Sequence, residues 1–353
     1  MKQDKKFNFL RLCRLGIFIS GVALTATFFI SASFTYFYPP LPSEKEPILF
    51  YSNQLGHSLK TVTIKALEGA KKTLVLHSFS LTDKTIVGLL SKKAKQLSYH
   101  SIKTDLRPAP SFYTHFQTIL DWQRLPCSGL AHEKILLIDD AFCYLGTANM
   151  TTESLTMHDN VILGFYSEPL VHFLKNYTSK DHPKKFKTSA RESFSFLNQT
   201  LFLWMLPSKQ SLALDDLLDE INQSKHSVSV SMFTLTHPKI LSSLVEAKKR
   251  GVCVKIYLDQ SSAKGASSKA AAYLLDHGIE IFISSGIQLL HHKMALIDES
   301  VFILGSANWT QSAFSKNRDF FLILKPLNVS QRLDVKKIFK HISKHAKKPK
   351  LHS

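Results

Sequence analysis

The sequence predicts an α/β protein of two similar lobes, each a mixed β-sheet flanked by helices, that form a pseudo-dimer preceded by one N-terminal transmembrane helix. Three observations support this prediction: a long uncharged apolar stretch near the N-terminus, strand–helix–strand periodicity in the remainder, and two motifs that each occur twice. At 353 residues the chain is long enough for about two domains.

The composition excludes several classes of protein. Hydrophobic residues make up 44% and charged residues 20% of the chain, which supports a sizeable core and excludes a mostly disordered protein. Four cysteines without a CxxC pair exclude a disulfide scaffold and a zinc ribbon. The 45 Lys and Arg residues against 27 Asp and Glu residues give a net charge of +18, which favours nucleic acid, anionic lipid or phosphate esters as partners.

Residues 15–37 form the uncharged apolar stretch. As a helix its 23 residues would span roughly 34 Å, more than the hydrocarbon thickness of about 30 Å. Basic residues precede it with Asp4 as the only acid, so the N-terminus is predicted to be cytoplasmic and the lobes extracytoplasmic. The alternative is a signal peptide cleaved near Ser31–Ser33, which would leave a secreted protein. The stretch is longer than the usual apolar region of about 7–15 residues, which favours an uncleaved anchor.

A strand followed by a helix occurs twice in the remaining chain. The stretch from Thr73 matches the stretch from Ser227 at a constant offset in the numbering. The matched positions are Phe79, Leu81, Thr82 and Ile86 in the first copy and Phe233, Leu235, Thr236 and Ile240 in the second. Each copy has the pattern of a buried strand, a turn and an amphipathic helix that ends in lysines. This pattern predicts right-handed crossovers and a largely parallel sheet.

A second motif is repeated more closely. Its copies begin at Ala131 and Leu290, and every matched pair has the same offset in the numbering. The pairs are His132 and His291, Lys134 and Lys293, Asp139 and Asp298, Gly146 and Gly305, Thr147 and Ser306, and Asn149 and Asn308. Such a match indicates an internal duplication, and the period is far too long for a solenoid repeat.

The duplication sets the predicted organisation of the chain. A cytoplasmic basic tail and signal-anchor occupy residues 1–43, the first lobe 47–175, a linker 176–200, the second lobe 201–328 and a basic tail 329–353. Two interpretations of the last segment stay open: a solvated, frayed end, or a contact with lipid or nucleic acid.

The second motif has the residue types for chemistry on a tetrahedral oxyanion. Side chains two apart on a strand share a face, so His132 lies beside Lys134, His291 lies beside Lys293, and His292 points away. Histidine can attack or donate a proton near neutral pH, and a neighbouring lysine suits an anion better than a metal ion. The candidate catalytic residues are His132, Lys134, His291, Lys293, Asp139 and Asp298. The two aspartates also suit a turn, because each ends a buried apolar run.

These motifs resemble the paired HKD motifs of the phospholipase D superfamily, from about residue 47 to about residue 328. The resemblance implies two α/β lobes whose motifs meet in one active site, and a reaction through a phosphohistidine that requires no metal or other cofactor. By the same resemblance His132 is the nucleophile and His291 is the general acid.

The resemblance also implies roles for neighbouring residues. The substrate phosphate would be held by Lys134, Lys293, Asn149 and Asn308, with Thr147 and Ser306 close by. The superfamily orients its histidines with an acidic residue after each motif, and the candidates here are Asp159 and Asp319. Their offset in the numbering is larger by one than that of the motif pairs, and a turn at a strand edge is the alternative role.

We expect a membrane-anchored phospholipase D-type phosphodiesterase that hydrolyses or transphosphatidylates phospholipids, as a monomer with internal pseudo-twofold symmetry. The expected partners are the phospholipid substrate and the membrane. The alternatives are an endonuclease acting on nucleic acid, which the +18 charge would suit, and a cardiolipin synthase-like phosphatidyltransferase. Intact motifs disfavour an inactive phosphate-binding scaffold. The segments Phe112–Leu120 and Phe194–Leu206 suit two roles: an apolar lip, meaning loops beside the motifs that contact lipid at the mouth of the pocket, or ordinary core.

Overall fold

The computed structural model describes residues 39–108, 110–117, 120–179, 191–208, 211–286 and 288–349. The predicted transmembrane stretch and the cytoplasmic tail lie outside these residues. Within the described part of the chain, no helix combines the length and the apolar character needed to cross a membrane.

The first lobe is built on a seven-stranded sheet. Its strands are β1 (Ile48–Tyr51), β2 (Thr73–Ser78), β3 (Tyr99–Asp105), β4 (Trp122–Leu125), β5 (Ile135–Ile138), β6 (Phe142–Gly146) and β7 (Ile162–Tyr166). They lie in the order β1-β7-β6-β5-β2-β3-β4. The helices are α1 (Leu59–Gly69), α2 (Lys84–Ala94), α3 (Pro110–Phe116), α4 (Thr152–Thr156) and α5 (Glu168–Thr178).

The second lobe repeats this plan with a nine-stranded sheet. Its strands are β8 (Arg191–Phe196), β9 (Gln199–Leu206), β10 (Ser227–Met232), β11 (Cys253–Leu258), β12 (Glu280–Ser284), β13 (Lys293–Ile297), β14 (Val301–Gly305), β15 (Asp319–Lys325) and β16 (Ala346–Lys347). Their order is β16-β12-β11-β10-β13-β14-β15-β9-β8. The helices are α6 (Leu212–Asn222), α7 (Pro238–Lys249), α8 (Gln260–Lys264), α9 (Ser268–Asp276), α10 (Gln311–Ser315) and α11 (Val329–Lys344).

Both sheets are mixed, which confirms the predicted fold class, whereas the strand–helix–strand pattern by itself had predicted a largely parallel sheet. Strands β2, β3 and β4 are parallel, as are β10, β11 and β12, whereas the motif strands pair antiparallel. The cause is a hairpin within each motif. Strand β5 turns into β6 at Asp139 and β13 turns into β14 at Asp298, where the backbone φ angles are 52° and 49°. Aspartate tolerates this left-handed conformation better than most residues.

The two sheets pack face to face at the centre of the molecule. Their inner faces share one apolar cluster, to which Ile135 and Leu145 contribute from the first sheet and Met294 and Leu304 from the second. Helices α1 and α2 cover the outer face of the first sheet, and α6, α7 and α9 cover that of the second. This helix–sheet–sheet–helix arrangement brings the motif hairpins of both lobes together.

The last ten residues of the predicted linker, 191–200, lie in two strands and the turn between them. Strand β8 lies within the predicted linker, yet it pairs with β9 at the edge of the second sheet. Phe194, Leu201 and Met205 are buried in the shared cluster, so the segment Phe194–Leu206 is core rather than a lip except at its turn, where Leu197 is exposed. In the other proposed lip, Tyr113 and Phe116 pack against the outer cluster of the first lobe.

The predicted basic tail is largely a helix. Within α11, Val335, Ile338, Phe339 and Ile342 are buried against the shared cluster. Their spacing of i, i+3, i+4 and i+7 is that of one helical face, which the count of lysines obscured.

Candidate active site

The two motifs meet because each lobe holds the start of the other lobe's motif strand. The backbone N–H of His132 donates to the Arg318 carbonyl at 2.7 Å, and that of His291 donates to the Asp159 carbonyl at 3.0 Å. A short parallel bridge accompanies each contact. Both histidines are therefore fixed at the boundary between the lobes.

His132 is bonded to an aspartate of the other lobe. Its Nδ1 lies 2.8 Å from Oδ1 of Asp319. Asp319 is fixed in turn, because the Ser306 hydroxyl donates to Oδ1 at 2.7 Å and Asn317 Nδ2 donates to Oδ2 at 3.3 Å. Since the carboxylate engages Nδ1, Nε2 is the ring nitrogen left for chemistry.

His291 has a matching but uncharged partner. Its Nδ1 lies 3.0 Å from Oδ1 of Asn160, which also accepts a 2.7 Å hydrogen bond from the Thr147 hydroxyl. The amide nitrogen of Asn160 donates to the Ser154 carbonyl at 2.8 Å, which sets the direction of the side chain. The two histidines are therefore held in the same geometry, but the partner of His132 is a carboxylate and the partner of His291 is a carboxamide.

The prediction that Asp159 orients a histidine is corrected to Asn160. Asp159 reaches His291 only through its backbone, and its own carboxyl is buried, which raises its pKa to about 6. Asn160 and Asp319 have the same offset in the numbering as every other motif pair. A search for carboxylates passes over this amide, although the constant offset points to it.

Lys134 and Lys293 are buried and anchored alike. Lys134 Nζ donates to the His132 carbonyl at 2.6 Å, and Lys293 Nζ donates to the His291 carbonyl at 2.7 Å. Burial lowers the pKa of Lys134 to about 7 and that of Lys293 well below its usual value, with repulsion from Lys134 as a further cause for Lys293.

Burial and the same buried lysines also lower the pKa values of the two histidines. Burial, then Lys134, lowers the pKa of His132, although Asp319 opposes the shift. Burial, then Lys293 and Lys134, lowers the pKa of His291. Because each motif perturbs the other, the four side chains belong to one site, and an anion bound there would relieve their repulsion.

Asn149 and Asn308 each present an unused amide. In both residues Oδ1 is buried without a hydrogen-bond partner among the described residues. Buried polar atoms are normally paired, so a matching pair of orphans indicates a place for a ligand. Since amide oxygen and nitrogen are assigned from their contacts, a flip of the amide that exchanges the two atoms presents N–H donors there instead.

Thr147 and Ser306 do not face a substrate. Both are fully buried, and their hydroxyls accept from the Val161 and Phe320 N–H groups while donating to Asn160 and Asp319. This corrects their expected place beside the phosphate. The preceding glycines, Gly146 and Gly305, are also tightly enclosed. A Cβ on Gly146 would lie 2.3 Å from the Val161 carbonyl, and one on Gly305 would lie 2.4 Å from the Phe320 carbonyl.

Asp139 and Asp298 are also structural, which corrects their place among the candidate catalytic residues. Each lies at the far end of its motif strand from the histidine. Asp139 accepts hydrogen bonds from the N–H groups of residues 71–73, and Asp298 from those of residues 225–227. The two carboxylates therefore fix the chain that enters β2 and β10.

Two phenylalanines complete the site, and the sequence reasoning missed them. The ring of Phe79 lies 5.3 Å from that of His132, and the ring of Phe233 lies 5.3 Å from that of His291. Lys134 and Lys293 lie 5.8 and 5.1 Å from the same rings. The two phenylalanines are a matched pair of the strand–helix repeat, and this repeat was the signal that could have identified them.

The residue between His and Lys differs between the motifs. Glu133 is buried and binds Arg318 at 3.1 Å and His77 at 3.3 Å, so an ion pair crosses the lobe boundary beside His132. Arg318 and His77 together hold the pKa of Glu133 down, to about 2. At the matching position His292 is buried with Nδ1 3.2 Å from the Ser231 hydroxyl, and burial lowers its pKa to about 3.

Comparison with known proteins finds a matching domain family and similar chains. A family profile described as cardiolipin synthase, PLD-like domain, matches residues 217–342. A mitochondrial cardiolipin hydrolase of Mus musculus is 28% identical over 120 residues, which are 34% of this chain and 53% of that protein. A phospholipase D of Rickettsia bellii is 31% identical over 107 residues, 30% of this chain and 53% of that protein. The chain thus matches about half the length of these relatives.

The phosphatidylserine synthase of Haemophilus influenzae shares the fold across both lobes. Its crystal structure matches with a TM-score of 0.69 at 14% identity and covers 91% of each chain. Taken with the profile, the fold places the protein among two-lobed α/β proteins with a PLD-like domain. The profile and the relatives support membership of the phospholipase D superfamily.

Proposed function

We propose that this chain is a membrane-anchored phospholipase D-type phosphodiesterase that cleaves phospholipids through a phosphohistidine, with water or an alcohol as the acceptor. The observation that carries the proposal is the pair of buried histidines, one from each lobe, whose Nδ1 atoms are fixed by Asp319 and Asn160. Both Nε2 atoms remain for one phosphorus atom, with two lysines around the same position.

The reaction has two balanced steps. In the first, Nε2 of His132 attacks phosphorus, the bond to the leaving alcohol oxygen breaks, and His291 donates its Nε2 proton to that oxygen. In the second, neutral His291 takes a proton from water, whose oxygen attacks phosphorus as the phosphorus–nitrogen bond breaks. The products are the free alcohol and a phosphomonoester, and both histidines return to their starting protonation.

The difference between Asp319 and Asn160 supports this order of roles. Positive charge develops on the attacking ring, and a carboxylate at its Nδ1 stabilises that charge. A ring that must release a proton has the opposite requirement, because a neutral amide stabilises the imidazolium less. His132 with Asp319 therefore suits the nucleophile, and His291 with Asn160 suits the general acid.

Lys134, Lys293, Asn149 and Asn308 would hold the non-bridging phosphate oxygens. The two ammonium groups offset the negative charge of the phosphoryl group as it transfers, and burial strengthens this attraction. Phe79 and Phe233 would exclude water from the same position.

Lipid is favoured over nucleic acid by two observations. The apolar stretch at residues 15–37 would hold the lobes at a bilayer, on the extracytoplasmic side by the charge that precedes it. The relatives reported above are named for cardiolipin and phospholipid cleavage.

The proposal is tested with the full chain in proteoliposomes that contain radiolabelled phosphatidylcholine, phosphatidylglycerol or cardiolipin, and in parallel with labelled single-stranded DNA. We expect release of the headgroup alcohol and formation of phosphatidic acid from at least one lipid. Addition of a primary alcohol at molar concentration separates transfer from hydrolysis, because transfer gives a phosphatidyl alcohol. Cleavage of DNA without turnover of any lipid would overturn the proposal.

Asn160→Asp is expected to move the alkaline limb of the kcat/KM profile to higher pH. The new carboxylate would lie near 3 Å from His291 Nδ1 and favour the imidazolium, so the pKa of His291 rises. Activity that requires protonated His291 is lost as pH rises through this pKa, and the loss should therefore begin about 1 to 2 pH units later. The matched control is Asn176→Asp on the exposed side of α5, which should leave the profile unmoved. An alkaline limb that stays or moves to lower pH contradicts the general-acid role.

His292→Ala is expected to retain most of the activity. The side chain lies on the face away from His291 and contacts Ser231, so its removal costs stability rather than chemistry. The measurement is kcat/KM beside that of His291→Ala, with thermal unfolding of each variant and with His292→Asn as a smaller change. A folded His292→Ala or His292→Asn protein as inactive as His291→Ala would show that this strand face takes part in the reaction.

A further inference from the structure

The helix α11 has a second face that is exposed. Its exposed stripe consists of Val329, Leu333, Lys336, Lys337, Lys340 and Lys344. These positions recur three or four residues apart, so they form one line along the helix, opposite the buried face. Val329 and Leu333 are 63% and 61% exposed, at the end of the line where the helix begins.

A third exposed apolar side chain lies near the first turn of α11, on a groove that Ser330 and Asp334 also line. Leu197, at the turn between β8 and β9, is 81% exposed and lines a groove together with Asn328 and Glu46. Several large apolar side chains exposed at one place commonly mark a membrane or protein contact.

The same place is close to the exit of the predicted transmembrane stretch. The described chain starts at Pro39, whose carbonyl accepts a 2.8 Å hydrogen bond from Lys65 Nζ, and Glu46 follows seven residues later. Seven residues span at most roughly 25 Å, so Glu46, which lines the groove beside the first turn of α11, lies within that distance of Pro39.

The other end of the stripe lies near the segment that precedes His291. The carbonyl of His345, one residue beyond α11, accepts hydrogen bonds from the Ser285 N–H at 2.8 Å and the Ser285 hydroxyl at 3.0 Å. Ser285 begins the short segment that leads to His291. The stripe therefore runs from the chain exit to the loop before the general acid.

We propose that the exposed stripe of α11, with Leu197, is a membrane-docking face that binds the anionic surface of a bilayer. Val329, Leu333 and Leu197 would enter the interfacial region, and the lysines would lie at the level of the headgroup phosphates. Lys336 pairs with Glu299, whereas Lys337, Lys340 and Lys344 form no ion pair with a described carboxylate and keep their charge for lipid. A nucleic acid could contact these lysines but would leave the three apolar side chains in water, and so fits the stripe less well.

The inference rests on the proposed function, since docking matters only for an enzyme that acts at a membrane. Its consequence is a defined orientation: the loop before His291 is held against the lipid surface rather than turned away from it.

The test uses the full chain with Leu333→Trp in nanodiscs that contain brominated phosphatidylglycerol. Bromine quenches tryptophan only at close range, and the three native tryptophans are buried and give a constant background. We expect quenching of Trp fluorescence in Leu333→Trp and none in the matched control Tyr99→Trp, whose position is 49% exposed at the start of β3. Adding Lys337→Gln, Lys340→Gln and Lys344→Gln should weaken docking about fivefold per lysine, or about a hundredfold together. The control for charge is the triple change Lys84→Gln, Lys92→Gln and Lys95→Gln on and beside α2, which should leave the quenching unchanged.

Each outcome decides the proposal. Absent or equal quenching at positions 333 and 99 overturns it, as does quenching that the α11 lysine changes leave intact. Those changes could instead abolish binding of a fluorescent single-stranded oligonucleotide while quenching persists, in which case the stripe serves nucleic acid. Turnover of a short-chain, monomeric phospholipid without quenching refutes docking alone, and quenching without turnover of any lipid refutes only the proposed function.

Discussion

Replacing His132 by alanine is expected to lower kcat/KM for phospholipid cleavage by about 10⁴-fold or more. The substitution removes the only nitrogen that the proposed first step uses to form a bond to phosphorus. The remaining lysines and asparagines still bind phosphate, so KM should change far less than kcat. The measurement is steady-state release of labelled headgroup, with His172→Ala on the exposed side of α5 as a control that should be fully active.

A trapping experiment separates the roles of the two histidines. His291→Ala with a substrate whose leaving alcohol is strongly acidic should still form the covalent intermediate, because such an alcohol needs no proton donor. The second step then lacks its base, so a phosphorylated protein accumulates and intact mass spectrometry shows the added group on the peptide that contains His132. An adduct on His291 in the His132→Ala protein would reverse the assignment.

Breaking the buried pair between Glu133 and Arg318 is expected to cost about 3 to 5 kcal/mol of unfolding free energy. Arg318→Met leaves the Glu133 carboxylate in the lobe interface without its guanidinium partner, while its contact with His77 remains. The Arg318 main-chain carbonyl that accepts from the His132 N–H is kept in this variant, so kcat/KM should fall only as far as the lobe boundary beside His132 shifts. Urea unfolding measures the effect on stability.

Two controls make this result specific. Lys249→Met removes an ion pair with Glu246 that is exposed on α7, and should leave the urea midpoint unchanged. Adding Glu133→Leu to Arg318→Met removes the stranded charge and should recover much of the lost stability. Equal midpoints for wild type and Arg318→Met would show that the pair does not hold the lobes together.

The sequence predicted the part of the site that depends on local order along a strand. His132 with Lys134 and His291 with Lys293 are two residues apart, and a strand places such residues on one face whatever the rest of the fold does. The twofold repeat made this pattern specific, and the α/β fold with two sheets followed from the same duplication and is confirmed.

The errors concern contacts that cross the lobe boundary or end a strand. Asn160 and Asp319 act on the histidine of the other lobe, and no local periodicity reports which segment will lie opposite. Asp139 and Asp298 stand within the motif by spacing, yet the length of β5 and β13 carries them to the opposite end of the sheet. Helix α11 was hidden because its four lysines are as numerous as the four apolar residues on its buried face.

The exchange of histidine partners between the lobes bears on how such a protein can evolve. A homodimer of single lobes must carry the same residue beside both histidines, because one gene encodes both positions. After fusion the two positions are inherited separately, and this chain holds a carboxylate at one and a carboxamide at the other. Gene fusion thus permits a division of labour between two imidazoles that a symmetric ancestor could not have encoded.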